Sequence, residues 1–344
     1  MLVKVTTLKH DKIMEIKDTI GIDISKLTFD VHIHGNQMRH VFENSDKGFK
    51  KLVEWTYKNS PFPKNKILFI FEHTGLYSHA LSVFLAEREI PFALVPGMEI
   101  KKSLGIARGK NDKVDAARIA LYGYRLRDEI KPSELPQKDI TDLGRLLSLR
   151  DRLVKQRAGH KTSLKEQGRV LPRKGNKVLF ETQERMVAYL TKQIKSIEKE
   201  MADIIGKNER LGQLYHLATS VKGVGPQTAM FIIVYTNGFT KFKNARKFAS
   251  YCGIAPFPNS SGTSIRGRTK VSHLANKKIK SLLDLCAKVA IRHNSEMKRY
   301  YDKRIAEGKN KRSTINIIRN KILSRIFAVV QRKTPYVDFM KYAA

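Results

Sequence analysis

The feature that most constrains the fold is the alternation of strand-like and helix-like segments in the N-terminal part of the chain. The strand-like runs are IGIDISKLTFDVHIHG (20–35), which holds two runs around a Ser-Lys turn, KILFIFE (66–72) and PFALVPG (91–97). The helix-like runs are LYSHALSVFLAERE (76–89) and DKVDAARIALYGYRL (112–126). Strands that alternate with helices predict a mixed α/β sheet domain. We place it at residues 1–135, ending in the proline-bounded segment IKPSELPQ.

The next part of the chain, residues 136–210, has the pattern of long helices. Its apolar residues are spaced alternately three and four apart, as in a heptad seam: Val187, Leu190, Ile194, Ile197, Met201 and Ile204. Two such helices, joined through GRVLPRKGNK (168–177), predict a helical coiled-coil hairpin. Arg150 and Arg157 interrupt the seam of its first helix. Basic residues of this kind are either a solvated face or a nucleic-acid contact, and the density of Arg and Lys here also fits nucleic-acid contact.

The last part, residues 211–344, is predicted to be mostly helical with glycine-rich interruptions. VKGVGPQTA (221–229) contains the Gly-apolar-Gly turn of a helix-hairpin-helix element, in which backbone N–H groups face a DNA phosphate. Gly223 and Gly225 would permit the close approach. An ordinary helix–turn–helix connection is the alternative reading of the same residues.

Charge points to a polyanionic partner. The 66 Lys and Arg against 32 Asp and Glu give a formal net charge of +34 among 344 residues, with a pI near 10.1. Such self-repulsion is retained where a polyanion supplies the counter-charge, so nucleic acid is the leading partner. An anionic membrane is disfavoured, because no apolar run approaches the ~20 residues of a spanning helix. The charged first residues and two unpaired cysteines predict a prokaryotic, nucleoid-associated cytoplasmic protein.

Four carboxylates stand out in the α/β segment: Asp23 in a strand, Glu72 at a strand end, and Asp112 and Asp115 at a helix start. Taken alone, Asp112 is an ordinary helix N-terminal acid, Asp23 caps a turn, and Glu72 pairs with a lysine. The spacing of Asp112 and Asp115 nevertheless puts two like charges on one helical face. Together, in a chain poor in acids, the four predict a site for a hard divalent cation, Mg²⁺, which prefers oxygen ligands.

These acids also resemble a known family. Asp23 in GIDISK, Glu72 in FEHTG, and Asp112 and Asp115 in RGKNDKVDAARIA resemble the four-acid (DEDD) signature of a RuvC-like domain with the RNase H fold. More specifically they resemble the transposases of the insertion-sequence 110 family, relatives of the Piv and MooV DNA invertases. The Arg-Gly-Lys before the Asp-x-x-Asp helix is the most specific part, and we expect its Arg108 and Lys110 to contact nucleic acid.

The downstream sequence FASYCGIAPFPNSSGTSIRGRTKVSHLANKKIKSLL resembles the C-terminal transposase domain of the same family. The resemblance implies that the serine before glycine, Ser261, is a nucleophile, with Ser260 as the nearest competitor. Composition alone predicts only a flexible polar loop for NSSGTS. No Ser-His-Asp triad is suggested by spacing, although His273 is close in sequence. The nearby basic residues are expected to neutralise the attacked phosphate: Arg266, Arg268 and Lys270.

The resemblance therefore implies a fold of α/β plus all-α class: an RNase H-like (RuvC-like) N-terminal domain, a helical coiled-coil middle and a mostly helical C-terminal transposase domain. It implies a Mg²⁺-dependent recombinase acting on donor and target DNA and guided by an element-encoded bridge RNA. It also implies dimers that pair into a tetramer, in which one subunit's serine meets another's acids. Two alternatives remain at this stage. One is a Holliday-junction-type endonuclease that uses only the four acids, and the other is a non-enzymatic nucleic-acid-binding scaffold.

Overall fold

The computed structural model describes residues 15–73, 75–103, 112–261 and 265–338. The chain divides into two compact units, Met1–Leu135 and Pro136–Ala344. In the described parts of the chain, no helix is both long and apolar enough to cross a membrane.

The first unit is built on a five-stranded mixed sheet with strand order β3-β2-β1-β4-β5. The strands are β1 (Asp18–Ile24), β2 (Thr28–Ile33), β3 (Arg39–Glu43), β4 (Ile67–Glu72) and β5 (Phe92–Val95). β2 runs antiparallel to β1 and β3, whereas β1, β4 and β5 run parallel. The helices are α1 (Asp46–Asn59), α2 (Leu76–Glu87), α3 (Gly97–Ser103) and α4 (Asp112–Arg125). The predicted mixed α/β domain is confirmed, and a RuvC-like DEDD domain is compatible with it.

Apolar residues on both faces of the sheet explain why helices cover each side. On one face, Ile22 of β1 and Phe71 of β4 belong to a core that includes Leu52 of α1 and Leu85 of α2. The opposite face has a second core in which β4 residues pack with residues of α3 and α4: Leu68, Ile70, Ile100, Ile119 and Tyr122. Because successive side chains of a strand point to opposite faces, a run such as ILFIFE is apolar throughout when both faces are buried.

A glycine lets α4 lie directly against β1. A Cβ atom on Gly21 would stand 2.1 Å from the backbone oxygen of Ala116 and 2.3 Å from the backbone nitrogen of Ala120. The Thr19 hydroxyl, on the same face of β1, donates a 2.8 Å hydrogen bond to the Ala120 carbonyl. Gly21 contacts Ala116, whereas Thr19, earlier in β1, lies against Gly123, later in α4. The helix and the strand therefore run in opposite directions. The N-terminus of α4 therefore lies towards the carboxyl end of β1.

The second unit begins with two long antiparallel helices, α5 (Lys138–Val170) and α6 (Lys177–Lys207). Buried seam residues of α6 include Leu190, Ile194, Ile197 and Met201. The rest of the unit contains α7 (Glu209–Ser220), α8 (Pro226–Tyr235), α9 (Ala245–Tyr251), β6 (Pro256–Ser261), β7 (Ile265–Val271), α10 (Lys277–His293), α11 (Ser295–Ala306) and α12 (Lys311–Arg332). The helices from α7 onward share one core, which includes Leu217, Phe248, Leu283 and Ile318.

The structure departs from the predicted flexible loop in NSSGTS. Residues 259–261 complete strand β6, which pairs antiparallel with β7 in the register Ser261↔Ile265 and Ser260↔Arg266. The prediction was wrong for these residues because composition describes a segment alone. Their partner strand IRGRTKV supplies β-branched residues and the hydrogen bonds of a two-stranded sheet. Residues 262–264 lie outside the described chain.

The contact at Gly21 predicts a specific loss of stability. Gly21→Ala should lower the free energy of unfolding by about 2 kcal/mol or more, because the new methyl group meets backbone atoms that cannot move aside. Urea denaturation followed through the fluorescence of Trp55, the single tryptophan, reports on the first unit. Lys50→Ala, at an exposed position of α1 in the same unit, is the control. A midpoint of Gly21→Ala equal to the wild type would contradict this account of the packing.

Candidate active site

Two of the predicted acids lie at the carboxyl ends of neighbouring parallel strands. Ile22 of β1 and Phe71 of β4 are register partners, and Asp23 and Glu72 are the next residue of each strand. Both acids are half-buried. They follow buried residues of the opposite face, so they project from the same face of the sheet, the one covered by α4. The carboxyl ends of adjacent parallel strands thus bring two carboxylates from distant parts of the sequence to one edge.

The other two predicted acids belong to the first turn of α4. Gly21, which lies two residues before Asp23 on the same face of β1, is the residue against which Ala116 of α4 packs. Asp112 begins α4 one turn before Ala116, and Asp115 immediately precedes it. Asp115 is half-buried, and the Arg118 guanidinium lies 3.0 Å from its carboxylate. The side chain of Asp112 lies outside the described atoms. Three separate elements therefore bring the predicted acids to one corner of the first unit.

The structure adds an acid that sequence reasoning missed. Asp30 of β2 is the register partner of Asp23, so the two half-buried carboxylates project from the same face of the sheet. The sequence contains a signal for Asp30, since it alternates with Phe29 and Val31. Those two residues are buried on one face of the sheet, so Asp30 projects from the other face. Only the strand register identifies the partner. Asp30 also lines a cavity of about 450 Å³, together with Val31, Arg39, His40, Val41 and Ala116.

The residues at this corner suit a hard divalent cation. Their donor atoms are carboxylate oxygens, the ligands that Mg²⁺ prefers. Room for the Glu72 carboxylate depends on Gly97 of α3, since a Cβ there would lie 2.4 Å from Glu72 Oε2. Among the described residues, no group of three or more His, Cys, Asp or Glu side chains is arranged to hold a metal ion. The side chain of Asp112, one of the four predicted ligands, does not belong to the described residues' side chains.

In the second unit, Ser261 ends β6 at the far end of the hairpin from His273. Pro256 pairs with Val271 at the base of the hairpin, and His273 lies two residues beyond that base. With a rise of about 3.3 Å per strand residue, the serine and this histidine are separated by roughly 16 Å of hairpin. A dyad between them within one hairpin is therefore not formed.

The predicted basic residues around the serine are only partly described. Lys270 is exposed on β7, where it pairs with Phe257. The backbones of Arg266 and Arg268 belong to β7, but their side chains are outside the described atoms. Arg108 and Lys110 lie wholly outside the described residues.

Two arginines predicted to contact nucleic acid are engaged inside the helical hairpin. The Arg150 guanidinium lies 2.6 Å from the Glu198 carboxylate of the facing helix. The Arg157 guanidinium donates a 3.3 Å hydrogen bond to the Thr191 hydroxyl. Both arginines are half-buried. The structure gives them a role in holding α5 against α6, and their predicted nucleic-acid contact stays a prediction.

The two glycines of the predicted helix-hairpin-helix turn differ in their surroundings. Gly223 has a φ of +90°, and a Cβ there would lie 2.7 Å from the backbone oxygen of Cys286 in α10. Its close approach is therefore to the protein's own helix. Gly225 caps α8, and a Cβ there would meet no atom within 4 Å. Gly225 is half-buried and has room for a side chain, so it makes no close approach to the described part of the protein.

Comparison with known proteins agrees with this arrangement. A transposase profile of the DEDD type matches residues 20–167, and the profile described as transposase IS116/IS110/IS902 family matches residues 215–302. The pilin gene-inverting protein of Moraxella bovis is 27% identical over 326 residues, which cover 93% of this chain and 98% of that protein. The insertion element IS110 uncharacterized 43.6 kDa protein of Streptomyces coelicolor is 33% identical over 122 residues, 36% of this chain and 30% of that protein.

The matches at both ends of the chain define an enzyme that recombines DNA, a DNA transposase. The profiles describe the two parts of one family, and the chain belongs to the insertion-sequence 110 family of transposases. The family resemblance seen in the acidic motif and in the serine-glycine segment is thereby confirmed at this level.

The contact between Gly97 and Glu72 predicts a loss of activity without a loss of stability. Gly97→Ala should displace the Glu72 carboxylate, which is the movable end of a flexible side chain. We expect DNA cleavage to fall about 100-fold, as for misplacement of a reacting group by roughly 1 Å, with an unchanged unfolding midpoint. Rates on labelled element-end DNA are compared with those of Gly206→Ala, where a Cβ has open space. Full activity of Gly97→Ala would show that the Glu72 position is unimportant.

Proposed function

We propose that this transposase moves its own insertion element by cutting and rejoining DNA through a covalent link to Ser261. The observation that carries the proposal is the meeting of Asp23, Glu72 and the start of α4 at one corner of the first unit. The family supplies the second part, because the segment around Ser261 resembles its transposase domain. The Moraxella bovis relative is named for inverting a gene, and such an inversion requires both cutting and rejoining of DNA.

The proposed chemistry conserves bond energy. The Ser261 hydroxyl oxygen attacks a DNA phosphorus, forms a phosphoserine ester and displaces a deoxyribose oxygen, while the hydroxyl proton passes to a base and the leaving oxygen acquires a proton. Attack by a deoxyribose hydroxyl on the phosphoserine reverses the exchange and rejoins the strands. Arg266, Arg268 and Lys270 share the hairpin with Ser261 and are suited to balance charge on the attacked phosphate.

The proposed metal ligands are Asp23, Glu72, Asp112 and Asp115, which would hold Mg²⁺. When bound, the ion polarises the phosphate and stabilises charge on the reacting oxygens. Asp30 stands beside Asp23 and adds negative charge to the same face, which favours cation binding. Arg118 holds the Asp115 carboxylate in a defined orientation through their 3.0 Å contact.

Guidance by RNA and oligomerisation belong to the same proposal. The net charge of +34 exceeds what folding alone favours and suits a protein that holds donor DNA, target DNA and a bridge RNA. In the proposed assembly, dimers pair into a tetramer and the serine of one subunit acts with the acids of another. The hairpin of α5 and α6 is the proposed dimerising and RNA-holding part.

Removal of the nucleophile gives the direct test. Ser261→Ala should abolish a covalent protein–DNA adduct, because alanine cannot form a phosphate ester. Labelled element-end DNA is incubated with protein and Mg²⁺ and run on a denaturing gel, where the adduct is a slow, protease-sensitive band. Ser260→Ala is the matched control and should keep the band. Cleavage that persists in Ser261→Ala without any adduct would favour the endonuclease that uses only the acids.

The acids are tested separately. Asp23→Asn should lower cleavage by a factor of about 100 or more, as expected for loss of a metal ligand, while DNA binding persists. If the serine and the acids come from different subunits, a mixture of Asp23→Asn and Ser261→Ala proteins should regain activity that neither has alone. Unchanged recombination by Asp23→Asn would instead support the scaffold, whose function depends on charge alone.

A further inference from the structure

The second unit contains a basic groove of about 1120 Å³. It runs between the end of β7, one side of α10 and the first turns of α12. Its charged lining consists of Lys270, Lys280, Lys288, Lys309, Arg312 and Arg319, with one carboxylate, Asp284. Six permanent cations around one acid make the groove strongly positive.

Two of these cations are committed to the single acid. Lys288 Nζ lies 2.8 Å from the Asp284 carboxylate, and Arg319 hydrogen-bonds the same carboxylate. Burial opposes ionisation of Asp284, but the hydrogen bonds from Lys288 and Arg319 hold its pKa below the usual range. The acid is therefore charged and already compensated. It fixes two side chains in the wall of the groove and forms no ion pair with the other described cations.

The remaining four cations, Lys270, Lys280, Lys309 and Arg312, form no ion pair with any acid in the described parts of the chain. Lys270, Lys309 and Arg312 are exposed, so their ammonium and guanidinium groups are available to a ligand. Four cations without an ion-pair partner among the described residues, along one groove, match a ligand with repeated negative charge better than a small anion.

The start of α12 adds to the same field. Asn310 caps this 22-residue helix by accepting a hydrogen bond from the Arg312 amide, and the first turn contains no acid. Asn310, Arg312 and Ser313 all line the groove, so the positive end of the helix dipole lies at its wall. Backbone N–H groups and a hydroxyl at such an end are suited to phosphate oxygens.

We propose that this basic groove binds the phosphodiester backbone of the DNA strand a short distance from the bond that Ser261 attacks. The position of the DNA relative to Ser261 rests on the proposed function, whereas the binding of DNA in the groove does not. The groove meets the hairpin at Pro256 and Val271, its base, while Ser261 ends β6 at the other end. That span of roughly 16 Å corresponds to about five phosphates of one strand along B-form DNA. The groove thus holds flanking DNA and aligns the scissile phosphate with the tip of the hairpin.

The test measures how binding depends on salt. The triple variant Lys280→Gln/Lys309→Gln/Arg312→Gln should bind element-end duplex about tenfold or more weakly near physiological salt, and its slope of log affinity against log salt should be smaller by about 2 to 3. Fluorescence anisotropy between low and physiological salt gives both quantities. Lys303→Gln, an exposed lysine of α11 outside the groove, is the matched control and should change the slope by less than about 1. Wild-type affinity and slope in the triple variant would overturn the proposal.

A second arm separates the groove from the nucleophile and from RNA. Ser261→Ala should bind DNA with wild-type affinity although it forms no adduct. Loss of the adduct in that variant and loss of DNA binding in the triple variant are therefore independent results. The variants are also titrated with a structured RNA of equal length. A triple variant that loses affinity for RNA but keeps it for DNA would overturn the proposal in favour of an RNA groove. Ethylation of phosphates about five nucleotides from the cleavage point should weaken wild-type binding and leave the triple variant unaffected.

Discussion

The contact between the backbone of α4 and the strand β1 at Gly21 is the constraint on which the arrangement of the first unit depends. Because no side chain stands between them, the carbonyl of Ala116 and the amide of Ala120 approach β1 more closely than any other residue at position 21 would permit. The Thr19 hydroxyl then fixes the position of the helix along the strand. The N-terminal turn of α4 is consequently held at the edge of the sheet where Asp23 and Glu72 emerge, and carboxylates that repel one another are kept together by packing elsewhere.

Charge is distributed differently in the two units. In the first, acids are concentrated at one corner of a sheet despite the excess of basic residues in the chain. In the second, a single acid in the basic groove is used to position Lys288 and Arg319, and further cations stand without compensation. The first pattern suits cations and the second suits phosphates. A transposase needs both, since it must grip a polyanion over a long stretch and stabilise new negative charge at one atom.

Much of the first unit could be predicted from sequence because the decisive signals are local. The run ILFIFE identifies a strand buried on both faces, and an acid at its end is conspicuous for that reason. Asp30 could not be placed in the same way, since its position opposite Asp23 depends on the register of two strands. The same limit applies to the β6–β7 hairpin, whose polar first strand has no strand signal without its partner. Gly223 was predicted to let a DNA phosphate approach closely, and the close approach that the structure shows is to Cys286 of α10, 63 residues away in sequence.

The polar links across the helical hairpin determine how its two arms are aligned. Arg150 faces Glu198 and Arg157 faces Thr191, so each pair of residue numbers adds to the same total, as antiparallel neighbours should. Sliding one arm by seven residues would keep apolar side chains together, yet it would bring Leu143, fully buried here, opposite Glu198. An unpaired carboxylate against leucine is costly. The ion pair between Arg150 and Glu198 therefore favours the observed register of the two helices over registers shifted by one heptad. The basic connection between α5 and α6, residues 171–176, is thereby held at a fixed distance from the opposite end of the hairpin.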